Sequence, residues 1–276
     1  MSLPGRVALG TMHGKAAAIA PPLARLGIAV VVPEGLDTDR FGTFTGEVPR
    51  AGSMIEAARA KAQAAIAASG LPVGLASEGA YGPHPVLPFL AWGLELLLWL
   101  DSRTGQEIVE TLADEAPLYG HADATGPGDC DAFLARIGFP ATAVVVAPAA
   151  EPLRPVAKGI RDRVALKSAL RAASATGPAR VATDMRAHMN PRRMAMIARL
   201  AEHLADRLGR TCTACGAPGW GRLRLEPGLP CAWCGGPSVL ARGEVHGCTA
   251  CGVERFVLRP DKLTAADPGC CPACNP

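Results

Sequence analysis

Eight of the ten cysteines in this 276-residue chain form four Cys-x-x-Cys pairs in its last quarter: Cys212/Cys215, Cys231/Cys234, Cys248/Cys251 and Cys271/Cys274. Each pair puts two thiolates on one tight turn, which is half of a tetrahedral Zn²⁺ site at Zn–S distances of about 2.3 Å. Four pairs therefore make two closed Cys₄ sites. A disulfide framework is the alternative, and no secretory signal precedes the pairs to favour it. With all four positions filled by thiolate there is no place for water, so zinc held this way is structural. Each such site adds on the order of 10–16 kcal/mol of apparent binding energy to folding. Spacing leaves the pairing open. In a nested arrangement Cys231–Cys251 is one compact ribbon, with Val245 and His246 on its returning strand, and Cys212/Cys215 joins Cys271/Cys274. In a sequential arrangement the first pair joins the second and the third joins the fourth. Cys130 and Cys270 read as bystanders.

A second chemistry is suggested upstream. Thr11-Met12-His13-Gly14-Lys15 is a turn between a strand and a helix, where free amides and a lysine suit a phosphate. Glu56 follows Ser53 by three residues, the spacing of a helix-capping box, yet a carboxylate there is also a candidate metal ligand. Glu78 follows a buried apolar stretch, where α/β sheets place ligands. In Thr183–Arg193, Asn190 is a natural N-cap and Pro191 a natural first helical residue. Arg192 and Arg193 in that first turn oppose the helix dipole unless an anion is brought to it. Together these residues point to a phosphate-bearing ligand. Glu56 and Glu78 would hold Mg²⁺ and Lys15, Arg186 and Arg192 would meet phosphate oxygens. Thr11 and His13 would line the turn, and His13 or His188 would serve as acid.

These places resemble, in order and spacing over residues 1–208, the inosine-triphosphate pyrophosphatase-like hydrolases of non-canonical nucleotides. Their Thr-x-Asn-x-x-Lys turn is matched by Thr11…Lys15, one residue shorter and with His13 for asparagine. Their Glu-Asn-Ala-x-x-Lys-Ala helix is matched by Glu56-Ala57-Ala58-Arg59-Ala60-Lys61-Ala62, without the asparagine. Leu75-Ala76-Ser77-Glu78-Gly79 stands for their acidic strand end, and Asn190-Pro191-Arg192 for their Ser-His-Arg. The resemblance implies a nucleotide substrate, Mg²⁺ and catalytic roles for Lys15, Glu56 and Glu78. The chain also resembles a bacterial family, a domain of unknown function, with a Thr183–Pro191 segment followed by zinc knuckles. A non-enzymatic adaptor whose zinc module docks a protein or nucleic acid is the alternative function.

The elements that must position these residues are an alternation of strands and helices, expected to form a three-layer α/β domain with a mixed sheet over residues 1–210, followed by a double zinc ribbon over 211–276. Strands are expected at Arg6–Met12, Ile28–Val32, Leu71–Ala76, Ala141–Ala147 and Arg180–Thr183, and a hairpin at Glu95–Asp101 and Glu107–Leu112. Helices are expected at Ser53–Ser69, Asp129–Ile137, Pro155–Ala173 and Pro191–Leu208, the last with Ile197, Leu200, Ala201, Leu204 and Leu208 on one face. Pro21-Pro22 should interrupt a first helix. No GxGxxG or GxxxxGK[ST] is present, which argues against the common dinucleotide and P-loop sites.

Charge is unevenly spread. Residues 1–150 carry nine Lys/Arg against fifteen Asp/Glu, residues 151–210 thirteen against five, and the cysteine-rich tail six against five. A near-neutral tail argues against a nucleic-acid ribbon, and the basic middle segment is the place to look for a phosphate ligand. The longest apolar run, Pro85–Leu100, is broken by Pro88, Gly93 and Glu95 and does not suit a bilayer. With no signal peptide, membrane span or lipidation motif, a cytoplasmic location is the expectation.

Overall fold

The computed structural model describes residues 3–44, 48–50, 52–126, 128–150, 153–175 and 177–276. The chain divides into two compact units, one comprising Pro4–Arg103 and Ile108–Ala205, the other Thr104–Glu107 and Asp206–Pro276.

The larger unit is mixed α/β. Its first sheet contains β1 (Arg6–Gly10), β2 (Ala29–Val31), β3 (Val73–Pro83), β4 (Ala91–Asp101) and β5 (Gln106–Asp114), in the order β2-β1-β3-β4-β5. Strand β1 runs parallel to β2 and β3, while β4 is antiparallel to β3, so the sheet is mixed with β3 at its centre. Between β1 and β2 lies α1 (Ala16–Ala24), and between β2 and β3 lies α2 (Met54–Ser69). The expected interruption of α1 does not occur: the helix continues through Pro21 and Pro22. Proline's fixed φ suits a helix, and what is lost is two amide donors.

Helix α2 follows its sequence signals closely. Ser53 accepts from the Glu56 amide while the Glu56 carboxylate accepts from the Ser53 amide, a complete capping box. At the other end Gly70 takes a left-handed φ of 69°. The alanine face of α2 lies hard against β1 and β3. A Cβ on Gly10 would come within 2.7 Å of the Lys61 carbonyl oxygen, and one on Gly74 within 2.5 Å of that of Ala62. Close approach at these two glycines is what carries Lys61 down over the sheet. Behind it Ala58, Ala62, Ala76, Leu96, Leu98 and Leu100 form a core.

The remaining strands do not extend this sheet, as a single mixed sheet would require. They form a second, four-stranded antiparallel sheet of β6 (His121–Ala124), β7 (Val144–Pro148), β8 (Ala157–Ile160) and β9 (Ala179–Thr183), ordered β6-β9-β7-β8. Helices α3 (Asp131–Ile137) and α4 (Arg163–Ala173) bury Phe133, Leu134, Leu166 and Leu170 with Val144, Val146 and Val181. The expected long helix from Pro155 is thus a strand followed by a shorter helix. Gly159 adopts φ 70°, which no regular helix allows, and Asp162 then caps α4 by accepting from the Ala165 amide at 2.7 Å. Helix α5 (Pro191–Leu208) has the expected bounds, with Ile197, Leu200, Ala201, Leu204 and Leu208 all buried.

The smaller unit is a three-stranded antiparallel sheet of β10 (Gly221–Pro227), β11 (Ala241–Gly247) and β12 (Glu254–Leu258), in sequence order. Cysteine turns sit at its ends. Among the described residues, no helix is long and apolar enough to cross a membrane.

Candidate functional site

The eight cysteines form two clusters, and the pairing is neither nested nor sequential. Cys212 and Cys215 meet Cys248 and Cys251, and Cys231 and Cys234 meet Cys271 and Cys274. Strand β10 explains this. It pairs with β11 so that Gly221 lies opposite Gly247, which brings the first knuckle to the third, at the β11–β12 turn. Pro227 lies opposite Ala241 and Gly243 opposite Leu258, so the second knuckle and the chain leading to the fourth share the other end. A three-stranded meander sorts odd knuckles to one end and even knuckles to the other.

The geometry fits zinc. Sγ–Sγ distances are 3.8 Å for Cys212–Cys251, 3.7 Å for Cys215–Cys248, 3.9 Å for Cys231–Cys274 and 3.7 Å for Cys234–Cys271. A tetrahedron with Zn–S bonds of about 2.3 Å has S–S edges of about 3.8 Å, whereas a disulfide would need about 2.05 Å. Each knuckle is closed by a backbone bond to its first cysteine's carbonyl, from Gly216 (2.8 Å), Gly235 (2.9 Å), Gly252 (2.9 Å) and Asn275 (2.8 Å). The three glycines have φ of 71°, 71° and 76°, which is why glycine follows these pairs in the sequence. Amides of Ala214, Trp233 and Gly236 also donate to the sulfurs of Cys212, Cys231 and Cys234, each at 3.4 Å. Beyond α5, few apolar side chains are buried in this unit (Ala217, Leu229, Val245 and Ala266, with Trp220 partly so), so the clusters have most of the burden of ordering it. Cys130 is buried in the α/β core and Cys270 lies outside both clusters.

In the α/β unit a cavity of about 290 Å³ opens beside β3, bordered by His13, Lys15, Asp39, Arg50, Lys61, Glu78, Lys158, Arg186 and Arg193. Six lysines and arginines and two carboxylates border it, and Glu95 and Asp184 pair with Arg193 and Arg186 from behind, so six basic side chains meet four carboxylates and positive charge remains in surplus. Only half of those cations come from the basic segment 151–210. Lys15, Arg50 and Lys61 come from the half of the chain with net negative charge.

Glu78 does not sit beyond the end of a strand. It lies inside β3, opposite Leu96, and is buried. One of its oxygens pairs with Lys61 and the other with Arg50 at 3.2 Å. Arg50 also donates to the Gly79 carbonyl at 2.7 Å. Lys15, at the N-cap of α1, reaches the same strand and donates to the Ser77 carbonyl at 2.9 Å and the Ser77 hydroxyl at 3.4 Å. Burial, with Arg193 close by, pulls the Lys15 ammonium down to about 7, and Glu95 and Glu78 only partly oppose this.

The other expected residues divide. His13 lines the cavity, its Nε2 hydrogen-bonded to the accepting Asp39 carboxylate at 3.1 Å, and stacks on His188 with ring centroids 5.1 Å apart and planes 13° from parallel. Burial draws both imidazoles below their ordinary range. Thr11 is buried and its hydroxyl accepts from the His13 amide. Arg186 lines the cavity, held by the buried Asp184 at 2.6 Å. Glu56 and Arg192 do not border it. The Glu56 carboxylate is engaged by Ser53 at the exposed start of α2, and Arg192 forks onto the buried Asp114, at 2.9 and 2.5 Å. The pair of carboxylates expected to share Mg²⁺ is therefore not assembled, since only Glu78 reaches the site.

The arginine that does reach it is Arg193. The Asn190 side chain accepts from its amide at 3.1 Å, fixing the start of α5. Its guanidinium, 2% exposed, binds the fully buried Glu95 at 2.5 and 3.4 Å and stacks over Phe44, 4.1 Å from the ring centroid. Tyr81 donates to the same carboxylate at 2.7 Å, and burial and Glu95 push its phenol well above the usual range. A Cβ on Gly79 would meet the Arg193 guanidinium at 2.6 Å and the Glu95 carboxylate at 3.0 Å, so any larger residue after Glu78 must displace this buried pair. Two signals in the sequence mark these residues. Glu95 is a lone charge inside an apolar run, and such a charge is buried only with a partner. Arg193, not Arg192, is in phase with Ile197, Leu200 and Leu204 on the buried face of α5.

A second cavity, of about 390 Å³, shares Phe44 and Tyr81 with the first and adds Tyr119, Val145, Leu153 and Met185. A cation-rich cavity next to an aromatic one, in a mixed α/β unit, and a small sheet bearing two Cys₄ clusters define the class: a mixed α/β protein with a small cysteine-clustered sheet whose geometry is consistent with zinc knuckles. The chain belongs to the family described as Domain of unknown function (DUF6671), whose model matches residues 61–276. The match takes in Lys61, Glu78, Arg193 and all eight clustered cysteines, while Lys15 and His13 precede it. No curated protein and no solved structure matches the chain.

Proposed function

We propose that the α/β unit binds a phosphate-bearing small molecule of the nucleotide class, and that the two zinc ions order the ribbon without taking part in chemistry. The observation that carries this reading is the surplus of cations around a single cavity. A phosphate group brings the negative charge that six lysines and arginines set against four carboxylates lack, and charge-assisted bonds to such a group are the strong ones. The neighbouring cavity, walled by Phe44, Tyr81 and Tyr119, suits the flat apolar part of the same ligand. The likeness of Lys15, Lys61, Glu78 and the start of α5 to the inosine-triphosphate pyrophosphatase-like pattern supports the same ligand class and that fold family, with Arg193 in the place first given to Arg192.

Binding is favoured over Mg²⁺-dependent hydrolysis because Glu78 is already neutralised by Arg50 and Lys61 and Glu56 serves the helix cap. Hydrolysis would need the ligand to draw those cations away and free Glu78 for metal. The test is titration of the purified protein with a panel of nucleoside triphosphates, with and without Mg²⁺, reading both binding heat and release of phosphate or pyrophosphate. Saturable binding without Mg²⁺ supports the proposal, and turnover on adding Mg²⁺ would extend it to a pyrophosphatase. Absence of binding by every member of the panel would overturn it. A second reading, docking of a protein by the ribbon, is favoured by one observation: β12 is an edge strand with Phe256, Val257 and Leu258 exposed.

A further inference from the structure

The geometry points to Lys15 as a nucleophilic amine that forms an imine with a phosphorylated aldehyde or ketone bound in the cation-rich cavity. This rests on the cavity being an anion site, and it names a chemistry there that phosphate binding alone does not require.

Lys15 differs from the other cations of the site in its partners. Glu78 takes Lys61 and Arg50, Glu95 takes Arg193, and Asp184 takes Arg186. Among the described residues no carboxylate forms an ion pair with Lys15, which is 7% exposed and bonded only to the neutral Ser77 carbonyl and hydroxyl. A buried ammonium without a counter-ion is costly, so the neutral amine is favoured, and a neutral amine has the lone pair that attack on a carbonyl needs. The surrounding positive charge works the same way, since Arg193 and Lys61 both disfavour a proton on Lys15. Those same cations would hold the ligand's phosphate and bring its carbonyl to the amine. In the step, the Lys15 nitrogen bonds to the carbonyl carbon. Both amine hydrogens leave with the carbonyl oxygen as water, and a C=N bond remains. No oxidant or reductant is needed.

Pyridoxal 5′-phosphate, an aldehyde with a phosphate, is a direct probe. The full-length zinc-loaded protein is incubated with it and reduced with borohydride, whose hydride adds to the imine carbon while solvent protonates the nitrogen. Digestion and mass mapping then locate the secondary amine. The expected result is that Lys15 is labelled ahead of Lys61, Lys158, Lys167 and Lys262. Excess inorganic pyrophosphate should protect it, and pyridoxal without the phosphate should label it at least about tenfold more slowly, as loss of one charge-assisted contact implies. Labelling spread over other lysines with Lys15 unmodified would overturn the proposal, as would labelling of Lys15 unaffected by pyrophosphate. Because the map is made on the wild-type protein, it does not depend on a variant folding. A Lys15→Arg variant shown to melt cooperatively should lose the label, since a guanidinium forms no imine under these conditions. Pyrophosphate binding measured in parallel separates the two readings: binding without Lys15 labelling ends the imine alone, and absence of binding ends both.

Discussion

The two units solve the problem of a stable fold by different means. The α/β unit buries aliphatic side chains on two sheets and can afford charges inside them, because Glu95 pairs with Arg193, Glu78 with Lys61 and Asp184 with Arg186 at short range. Among its described residues the smaller unit has a far smaller core: β12 is exposed along its length, and the buried apolar side chains beside the cysteines are few, Ala217, Leu229, Val245 and Ala266. Where apolar burial is ample, polar groups are free to be arranged for a ligand. Where it is scarce, the cysteines are gathered into clusters suited to holding the chain through zinc.

The largest effect that would test this contrast is zinc removal. Elemental analysis should give two zinc ions per chain, and a strong chelator should remove on the order of 10–16 kcal/mol of apparent binding energy per site. Hydrogen exchange should then show lost protection in β10, β11 and β12, with β1, β3 and β4 still protected. Equal loss in both units would break the comparison.

The interleaved pairing gives a sharper test. Replacing Cys215 and Cys251 together with serine touches one cluster and should leave one zinc ion per chain, whereas replacing Cys215 and Cys234 should remove both. Nested or sequential pairing would instead lose both ions with the first double substitution. The zinc count of the two proteins decides between them.

A smaller effect should distinguish the buried charges of the α/β unit. Lys15 titrates at about 7 in the folded protein against an ordinary 10.5. Across that window the unfolded chain holds a proton that the folded chain has released, so the Lys15 contribution makes stability rise with pH. Its full penalty applies below pH 7. Lys15→Met removes this dependence, so the variant should gain on wild type as pH falls from 10 to 7, and the gap should be constant below 7. Denaturant melts of the two proteins across that range provide the measurement, and a gap independent of pH would contradict a buried ammonium without a carboxylate partner.

Much of this molecule was legible from local pattern. The Cys-x-x-Cys-Gly turns, the capping box of α2 and the Asn190-Pro191 start of α5 are each decided by a few neighbouring residues, and each stands where its pattern implies. What was not legible depends on partners far along the chain. The knuckle pairing turns on β10, whose Arg222, Leu223, Arg224 and Leu225 alternate as a strand should, a signal too short between two cysteine pairs to fix which strand it joins. Glu56 and Arg192 were plausible ligands by spacing, yet a nearer partner claimed each, Ser53 in one case and Asp114 in the other. The residues that do converge with Lys15 and Glu78 come from a helix face, a loop and the middle of an apolar strand. Only the packing of α2 on Gly10 and Gly74 and the phase of α5 bring Lys61 and Arg193 to them.

The claim that the cavity is an anion site is tested most directly by calorimetric titration of pyrophosphate into the zinc-loaded protein and into a Lys61→Met variant shown to melt cooperatively. The wild-type protein should bind one pyrophosphate per chain, and the variant should bind it about 10–100-fold more weakly, the usual loss for one charge-assisted contact. No binding heat in the wild type, or equal affinity in the two proteins, would contradict the account.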